Sequence, residues 1–323
     1  MGLVSFTMRS ISLGRLSFTF TPKNVYLLNQ FSAQFAYGHR EILLSYARLD
    51  SSTLLEGVLQ HGITSNENLL LDAKTPKVGL FRRAPFWVFS KETTEFLKNH
   101  GMRDVTAIGA PWAYLQKMRG QLADVGGHPK RNKTLVFPTH YSQSVNIPFT
   151  QDEVRQKLRR WKSLSGGEEI TICLLWSEFL NPVWRMVCES EGVTLTFAGV
   201  GESKPVWSPH VSRVNFLANI DILLRDHSRC IFESPTSAIF YAISLGKEIG
   251  LFLSPQSGDW GAFSAAHERQ LIWTTECLPD LVEKFALTPR MIEFSRRVLG
   301  EDCILNPEEL RENLVYSKGV VPT

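Results

Sequence analysis

Short apolar runs alternate with amphipathic segments along the chain, and this alternation predicts a parallel α/β protein. In the first half, apolar runs predict strands over residues 55–59, 86–89 and 105–108, and a helical pattern covers 40–49. Ser90 is placed to cap a further helix that ends before Gly101. A strand, a helix and a strand within about 25 residues favour two parallel strands joined by a crossover.

The second half repeats this pattern more regularly. Apolar runs predict five strands and one further strand-like segment, at residues 134–137, 170–176, 193–198, 230–232, 249–253 and 271–273. Helical patterns lie at residues 151–161, 182–191, 213–224, 289–299 and 308–316. Continuous apolar runs of this kind are typical of parallel strands that are buried on both faces.

Length and composition indicate a globular protein of two domains. The chain has 323 residues, of which 43% are hydrophobic and 21% are charged. A polar stretch rich in glycine, at residues 126–133, places the domain boundary near residue 128. The prediction is therefore an amino-terminal domain over 1–128 and a carboxyl-terminal domain over 129–323.

Charge and cysteine content exclude several classes of function. A net charge of +3 is too small to indicate a nucleic-acid partner. Five widely spaced cysteines without a CxxC pair argue against a disulfide framework and a structural zinc site, and they favour a reducing, cytoplasmic location. No run approaches the roughly 20 apolar residues that span a bilayer. The basic cluster at 155–162 predicts a solvated helix; the alternative is a contact with anionic lipid at the inner face of the membrane.

A hydroxyl-rich turn near residue 235 is the strongest candidate binding element. Ser234, Thr236 and Ser237 stand where a helix begins, Pro235 fits an early helical position, and Gly246 ends the helix. The start of a helix presents unpaired N–H groups and the positive end of the helix dipole, so it favours anions such as phosphate. The alternative is an ordinary βαβ unit whose helix has a hydroxyl cap.

Other polar residues also follow predicted strands, at the sheet edge where open parallel sheets bind ligands. They are His61 and Gly62, Gly109, Thr139 to Ser142, and Gly199 to Gly201. Two such domains facing each other would form one deep cleft.

Several short motifs occur in a moderately specific order over residues 50–255. They are Leu59-Gln-His-Gly62, Phe89-Ser90, Ile108-Gly-Ala-Pro111, Phe137-Pro-Thr-His140, Ser234-Pro-Thr-Ser-Ala238 and Leu245-Gly-Lys247. With these motifs the chain resembles the GT-B glycosyltransferase superfamily, in particular bacterial capsule and surface-polysaccharide enzymes and CDP-glycerol phosphotransferase-like proteins. The resemblance implies two Rossmann-like domains facing across a cleft, with a short amino-terminal domain and carboxyl-terminal helices.

The sequence departs from the family pattern in two respects. Only about 60 residues precede His61, and the Glu-x6-Glu signature of retaining enzymes is not present in clean form. These departures leave the acceptor and the anomeric outcome undetermined.

The resemblance implies a role for each candidate residue. His61 is the predicted catalytic base, because an imidazole titrates near neutral pH and can take a proton from an attacking hydroxyl. The predicted donor and phosphate contacts are Thr139, His140, Ser142, Ser234, Thr236 and Ser237. Gly199, Gly201 and Glu233 are expected near the base and ribose, although Glu233 could equally face solvent. Each residue has a plainer alternative as a loop or capping residue.

Four functions compete. The preferred one is a glycosyltransferase that moves a sugar from a nucleotide-activated donor to a surface-polysaccharide or glycolipid acceptor. The sequence contains no Asp-x-Asp motif, so the prediction includes no metal and no cofactor beyond the donor. The alternatives are a CDP-alditol phosphotransferase, a UDP-N-acetylhexosamine epimerase and a non-catalytic GT-B-like scaffold. An epimerase needs additional carboxylates for which no obvious pair exists, and the short amino-terminal domain favours the scaffold.

Overall fold

The computed structural model shows two parallel β-sheets with helices packed around them. It describes residues 37–55, 57–74, 85–121, 132–139, 149–175, 178, 181–198, 216–253 and 264–315. The predicted boundary near residue 128 lies outside them.

The first sheet contains three short strands in the order β1-β2-β3, all parallel. The strands are β1 (Val58–Leu59), β2 (Phe86–Val88) and β3 (Val105–Ala107). The helices of this half are α1 (His39–Tyr46), α2 (Asn66–Lys74), α3 (Lys91–Asn99) and α4 (Pro111–Gln121). Ser90 caps α3 by accepting a hydrogen bond from the Thr93 N–H, as the sequence predicts.

The second sheet contains five parallel strands in the order β6-β5-β4-β7-β8. The strands are β4 (Lys133–Phe137), β5 (Glu169–Leu175), β6 (Thr194–Ala198), β7 (Arg229–Phe232) and β8 (Glu248–Leu251). The helices are α5 (Gln151–Leu164), α6 (Pro182–Ser190), α7 (Phe216–Asp226) and α8 (Ser237–Ser244). The strand order reverses direction between β4 and β7, and ligands of open parallel sheets bind outside the carboxyl ends of strands at such a point.

The carboxyl-terminal helices return to the first sheet. They are α9 (Ser264–Cys277), α10 (Pro289–Leu299) and α11 (Pro307–Leu314). The Ala110 N–H donates to the Leu299 carbonyl at 2.8 Å, and Lys91 forms an ion pair with Asp302. Ala286, between α9 and α10, exchanges backbone hydrogen bonds of 2.9 and 3.1 Å with Ile249 of β8, so this carboxyl-terminal segment contacts both halves of the chain.

One hydrophobic core contains residues from both halves of the chain. Trp87 and Phe89 of the first half belong to the same buried cluster as Leu135 and Phe232 of the second. Trp112 of α4 stacks on Tyr241 of α8, with ring centroids 4.4 Å apart. The predicted parallel α/β architecture is confirmed, but the predicted pair of domains facing across a cleft is not.

Two local predictions are wrong. Residues 271–273 belong to α9 and form no strand: Gln270 and Thr274 are buried while Ile272 is 48% exposed, which is a helical period. Pro235 is not in the helix, because α8 begins at Ser237 with Thr236 as its N-cap. The sequence pattern predicts neither α2 nor α4, and the segment of α4 has no clear amphipathic pattern.

Candidate functional site

His61 lies in the loop after β1, at the carboxyl edge of the first sheet. Its side chain is exposed at the surface and its ring meets the Tyr37 ring edge-on, with centroids 5.2 Å apart. Neighbouring protein groups remove part of the hydration of the ring, and this desolvation lowers the pKa of His61 below its ordinary value. The imidazole is therefore neutral at neutral pH, which is the form that accepts a proton.

The loop that carries His61 contacts the start of α8 in the other half of the chain. The Ile63 N–H donates a hydrogen bond of 2.9 Å to the Ser237 hydroxyl oxygen. A Cβ atom at Gly62 would lie only 2.8 Å from that oxygen, so the close approach depends on a glycine. This contact brings His61 and the hydroxyl-rich turn into one site.

The start of α8 offers one unpaired hydroxyl group. Thr236 occupies the N-cap with an extended backbone, but its side chain does not cap the helix. Its hydroxyl oxygen is buried and makes no hydrogen bond. The first turn of α8 carries no acidic residue that would offset the positive end of the dipole. This arrangement suits an anion that accepts hydrogen bonds from the first N–H groups of the helix.

Ser237 and Ser234 differ in how they could serve such an anion. The Ser237 hydroxyl contacts both Ile63 and the Tyr241 hydroxyl, so protein groups already engage it. Ser234 is buried immediately after β7.

Glu233 joins β4, β7 and α5 where the strand order reverses. Its carboxylate accepts a hydrogen bond of 3.1 Å from the Thr139 N–H, and Lys157 of α5 contacts both of its oxygens at 2.8 and 2.9 Å. The Glu233 side chain is fully buried, so the alternative in which it faces solvent is wrong. Thr139 is therefore fixed beside Ser234 at the carboxyl edge of the second sheet.

Two residues beside His61 were missed by the sequence analysis. His39, the first residue of α1, is 2% exposed, and its Nδ1 atom is buried without a hydrogen-bond partner. Burial and the nearby charge of His61 lower the pKa of His39 to about 3. The Tyr37 ring lies between the two histidines, 5.8 Å from His39 and 5.2 Å from His61. The run Tyr37-Gly-His39 before an amphipathic helix was the available signal.

The structure brings together some of the predicted site residues. Ile63, two residues after His61, hydrogen-bonds to Ser237, and Glu233 binds the Thr139 N–H. Ser234 and Thr236 lie between Glu233 and Ser237 in the chain. The predicted contacts His140, Ser142, Gly199 and Gly201 lie outside the described residues.

Surface features are consistent with ordinary structural roles. In the basic cluster of α5, four residues form ion pairs within the chain: Arg155, Lys157, Arg160 and Lys162.

Among the described residues no group of three or more histidine, cysteine, aspartate or glutamate side chains is arranged to bind a metal. Within the same part of the chain, every helix is too short or too polar to cross a bilayer.

The sequence matches no protein-family model and no curated protein. Among solved structures, the chain is similar to UDP-GlcNAc 2-epimerase from Neisseria meningitidis bound to UDP-GlcNAc, at 13% identity over 85% of this chain and 78% of that one, with a TM-score of 0.35. It is also similar to S. aureus MnaA with UDP, at 12% identity over 87% and 75% of the two chains and a TM-score of 0.37. A third similar structure is Arabidopsis thaliana UGT89C1 complexed with UDP-L-rhamnose, at 9% identity over 90% of this chain and 73% of that one, with a TM-score of 0.36. Scores this low carry no inference about function.

Proposed function

We propose that this protein is a nucleotide-sugar-dependent glycosyltransferase of the GT-B type, with His61 as its base and the start of α8 as its anion site. The observation that carries the proposal is the hydrogen bond between Ile63 and Ser237. The proposal is supported because this bond joins the loop of the exposed His61, whose pKa is lowered, to a helix start where the Thr236 hydroxyl is unpaired. A base next to an anion site at the carboxyl edges of parallel strands suits transfer from a phosphate leaving group.

His61 would take the proton of the acceptor hydroxyl. The acceptor oxygen then attacks the anomeric carbon of the donor sugar, and the bond from that carbon to the nucleotide phosphate breaks. The electron pair leaves with the phosphate, where negative charge increases. The N–H groups at the start of α8 and the Thr236 hydroxyl stabilise this charge more in the transition state than in the ground state.

The remaining assignments extend the same proposal. Ser234 and Thr139 would line the donor phosphates together with His140 and Ser142, while Gly199 and Gly201 would approach the base. The buried ion pair with Lys157 makes Glu233 a support for the Thr139 backbone beside the donor. The acceptor class we propose is a surface polysaccharide or a glycolipid.

Nucleotide binding tests the anion site. CMP, CDP, UDP and GDP are compared by thermal shift at equal concentration; a nucleotide at 100 times its Kd stabilises the fold by about 2.7 kcal/mol. We expect one nucleotide to raise the Tm. If none does, the non-catalytic scaffold replaces the proposed transferase. A response to cytidine nucleotides alone favours the phosphotransferase or a transferase of an acidic sugar.

Substitution of His61 tests the base. We expect His61→Ala to abolish release of the nucleotide from a nucleotide-sugar donor that the wild type uses, while the Tm shift with nucleotide is retained, because the base does not hold the phosphate. His100→Ala is the control, since His100 is an exposed histidine at the end of α3. Full turnover by His61→Ala would exclude this residue as the base. Conversion of the donor sugar without nucleotide release would indicate an epimerase.

A further inference from the structure

Gln270 of α9 holds three successive residues of the loop that carries His61. Its Oε1 atom accepts hydrogen bonds from the Thr64 hydroxyl at 2.8 Å and from the Ser65 N–H at 3.0 Å. Its Nε2 atom donates to the Ile63 carbonyl at 3.3 Å. The side chain is nearly buried, so these bonds are shielded from water.

These bonds complete a clamp on the peptide that follows Gly62. The Ile63 N–H is bound by Ser237 of α8, and the Ile63 carbonyl is bound by Gln270 of α9. Gln60, the residue before His61, is held through its backbone N–H, which donates to the Trp87 carbonyl at 2.8 Å. Its side chain donates to the Gly62 carbonyl at 2.8 Å and accepts from the Phe89 N–H at 3.1 Å. The backbone on both sides of His61 is therefore fixed by buried amide groups.

We infer that Gln270 is a positioning residue for His61. This inference rests on the proposed function, because it assumes that the orientation of the His61 imidazole matters for proton transfer. A base must hold its geometry to within about 0.5 Å, and loops reach this precision only when supporting hydrogen bonds fix their backbone. Gln270 supplies that support from a helix more than 200 residues away in sequence.

The carboxamide cannot be replaced by an isosteric carboxylate. Gln270→Glu keeps an acceptor for Thr64 and Ser65, but an ionised carboxylate has no proton to donate to the Ile63 carbonyl. A carboxylate oxygen would face a carbonyl oxygen in a buried place. A protonated carboxyl group restores the donor, so the defect should diminish as the pH falls.

The experiment compares Gln270→Glu and Gln270→Leu with Glu268→Gln, an exposed change on the same helix. We expect both Gln270 variants to lower kcat at least tenfold while KM for the donor stays within twofold. The ratio of wild-type to Gln270→Glu kcat should fall as the pH is lowered, and that of Gln270→Leu should not. Glu268→Gln should match the wild type.

Two readouts do not depend on turnover and separate the failure of this inference from that of the proposed function. In Gln270→Leu, amide exchange in a peptide covering 61–66 should be at least tenfold faster, and the His61 pKa measured by NMR should move towards its ordinary value of about 6.5. If both change although no nucleotide sugar is turned over, the positioning role stands and the transferase does not. Unchanged exchange, an unchanged His61 pKa or an unchanged kcat would overturn the inference.

Discussion

At residue 39 the fold buries a histidine in a place that accepts only its neutral form. His39 is enclosed beside Tyr37 and His61, and neither neighbour supplies a negative charge that would stabilise an imidazolium. Protonation of His39 therefore destabilises the folded state, so the free energy of unfolding depends on pH. The unfolded chain takes up this proton at a pKa of about 6.5, whereas the folded pKa is about 3.

Because the pKa of His39 is lower in the folded state, the protein should lose stability as the pH falls. The unfolded state binds more protons between the two pKa values, so the contribution of His39 is complete above pH 6.5 and is lost as the pH falls towards 3. From pH 7.5 to pH 5 the expected loss of unfolding free energy is about 2 kcal/mol. His39→Phe should remove this part of the pH dependence in urea unfolding, and His100→Phe should retain it. An identical pH dependence in wild type and His39→Phe would show that the pKa of His39 is not lowered in the folded protein.

Residue types at the site could be predicted from sequence, but their partners could not. His61, Thr236 and Ser237 stand out because they follow apolar strands in a parallel pattern, which fixes the sheet edge on which they lie. The contact of Glu233 with Lys157 joins residues 76 positions apart in sequence. Such pairs depend on how α5 packs on the sheet, and no local pattern records that packing.

At the scale of elements, the end of α10 is attached to the first sheet through a glycine. Gly300 ends the helix in the left-handed conformation, with φ of 63°. A Cβ atom there would lie 1.8 Å from the Phe89 carbonyl oxygen, so α10 could not approach β2 as closely with any other residue. Gly166, after α5, has nearly the same φ of 65° but nothing within 4 Å of its Cβ position.

This pair of glycines separates backbone strain from steric exclusion. Gly166→Ala should cost about 1 kcal/mol of unfolding free energy, because alanine disfavours positive φ. Gly300→Ala should cost about 1–3 kcal/mol more, because the methyl group also displaces the Phe89 carbonyl. Urea unfolding of the two variants measures the difference. Equal losses would mean that α10 and β2 do not meet as closely as described.

Elements with a clear period were predicted well, and those without one were not. The strands of the second sheet and the amphipathic α5 and α6 follow the sequence pattern to within a few residues. The segment 271–273 has strand-forming residues, but the polar Gln270 and Thr274 on either side are the buried ones. Gln270 is buried because its side chain hydrogen-bonds to Thr64 and Ser65. These contacts form only in the tertiary structure, so the local sequence does not reveal them.

At the scale of the whole molecule, a buried carboxylate links α4 to α7. Asp221 of α7 is fully buried and forms ion pairs with Arg119 of α4 at 2.9 Å and with Arg225 of its own helix at 3.1 Å. Gln116 of α4 donates a further hydrogen bond of 2.7 Å to it. The two halves are thus joined by these polar contacts and by the apolar stack of Trp112 on Tyr241.

Because one core and this network span both sheets, we expect the two halves to unfold together. Asp221→Ala should lower the unfolding free energy by about 2 kcal/mol, since the two guanidinium groups lose their partner but remain partly hydrated. Asp152→Ala removes an ion pair of a carboxylate that is 93% exposed and should cost less than about 0.5 kcal/mol.

Hydrogen exchange across a urea series, in peptides covering 86–99 and 169–198, tests whether the two halves unfold together. Both peptides should lose protection at one urea concentration, and Asp221→Ala should lower that concentration equally for both. Loss of protection in 86–99 alone would indicate two separately folding domains, which is the organisation that the sequence predicts.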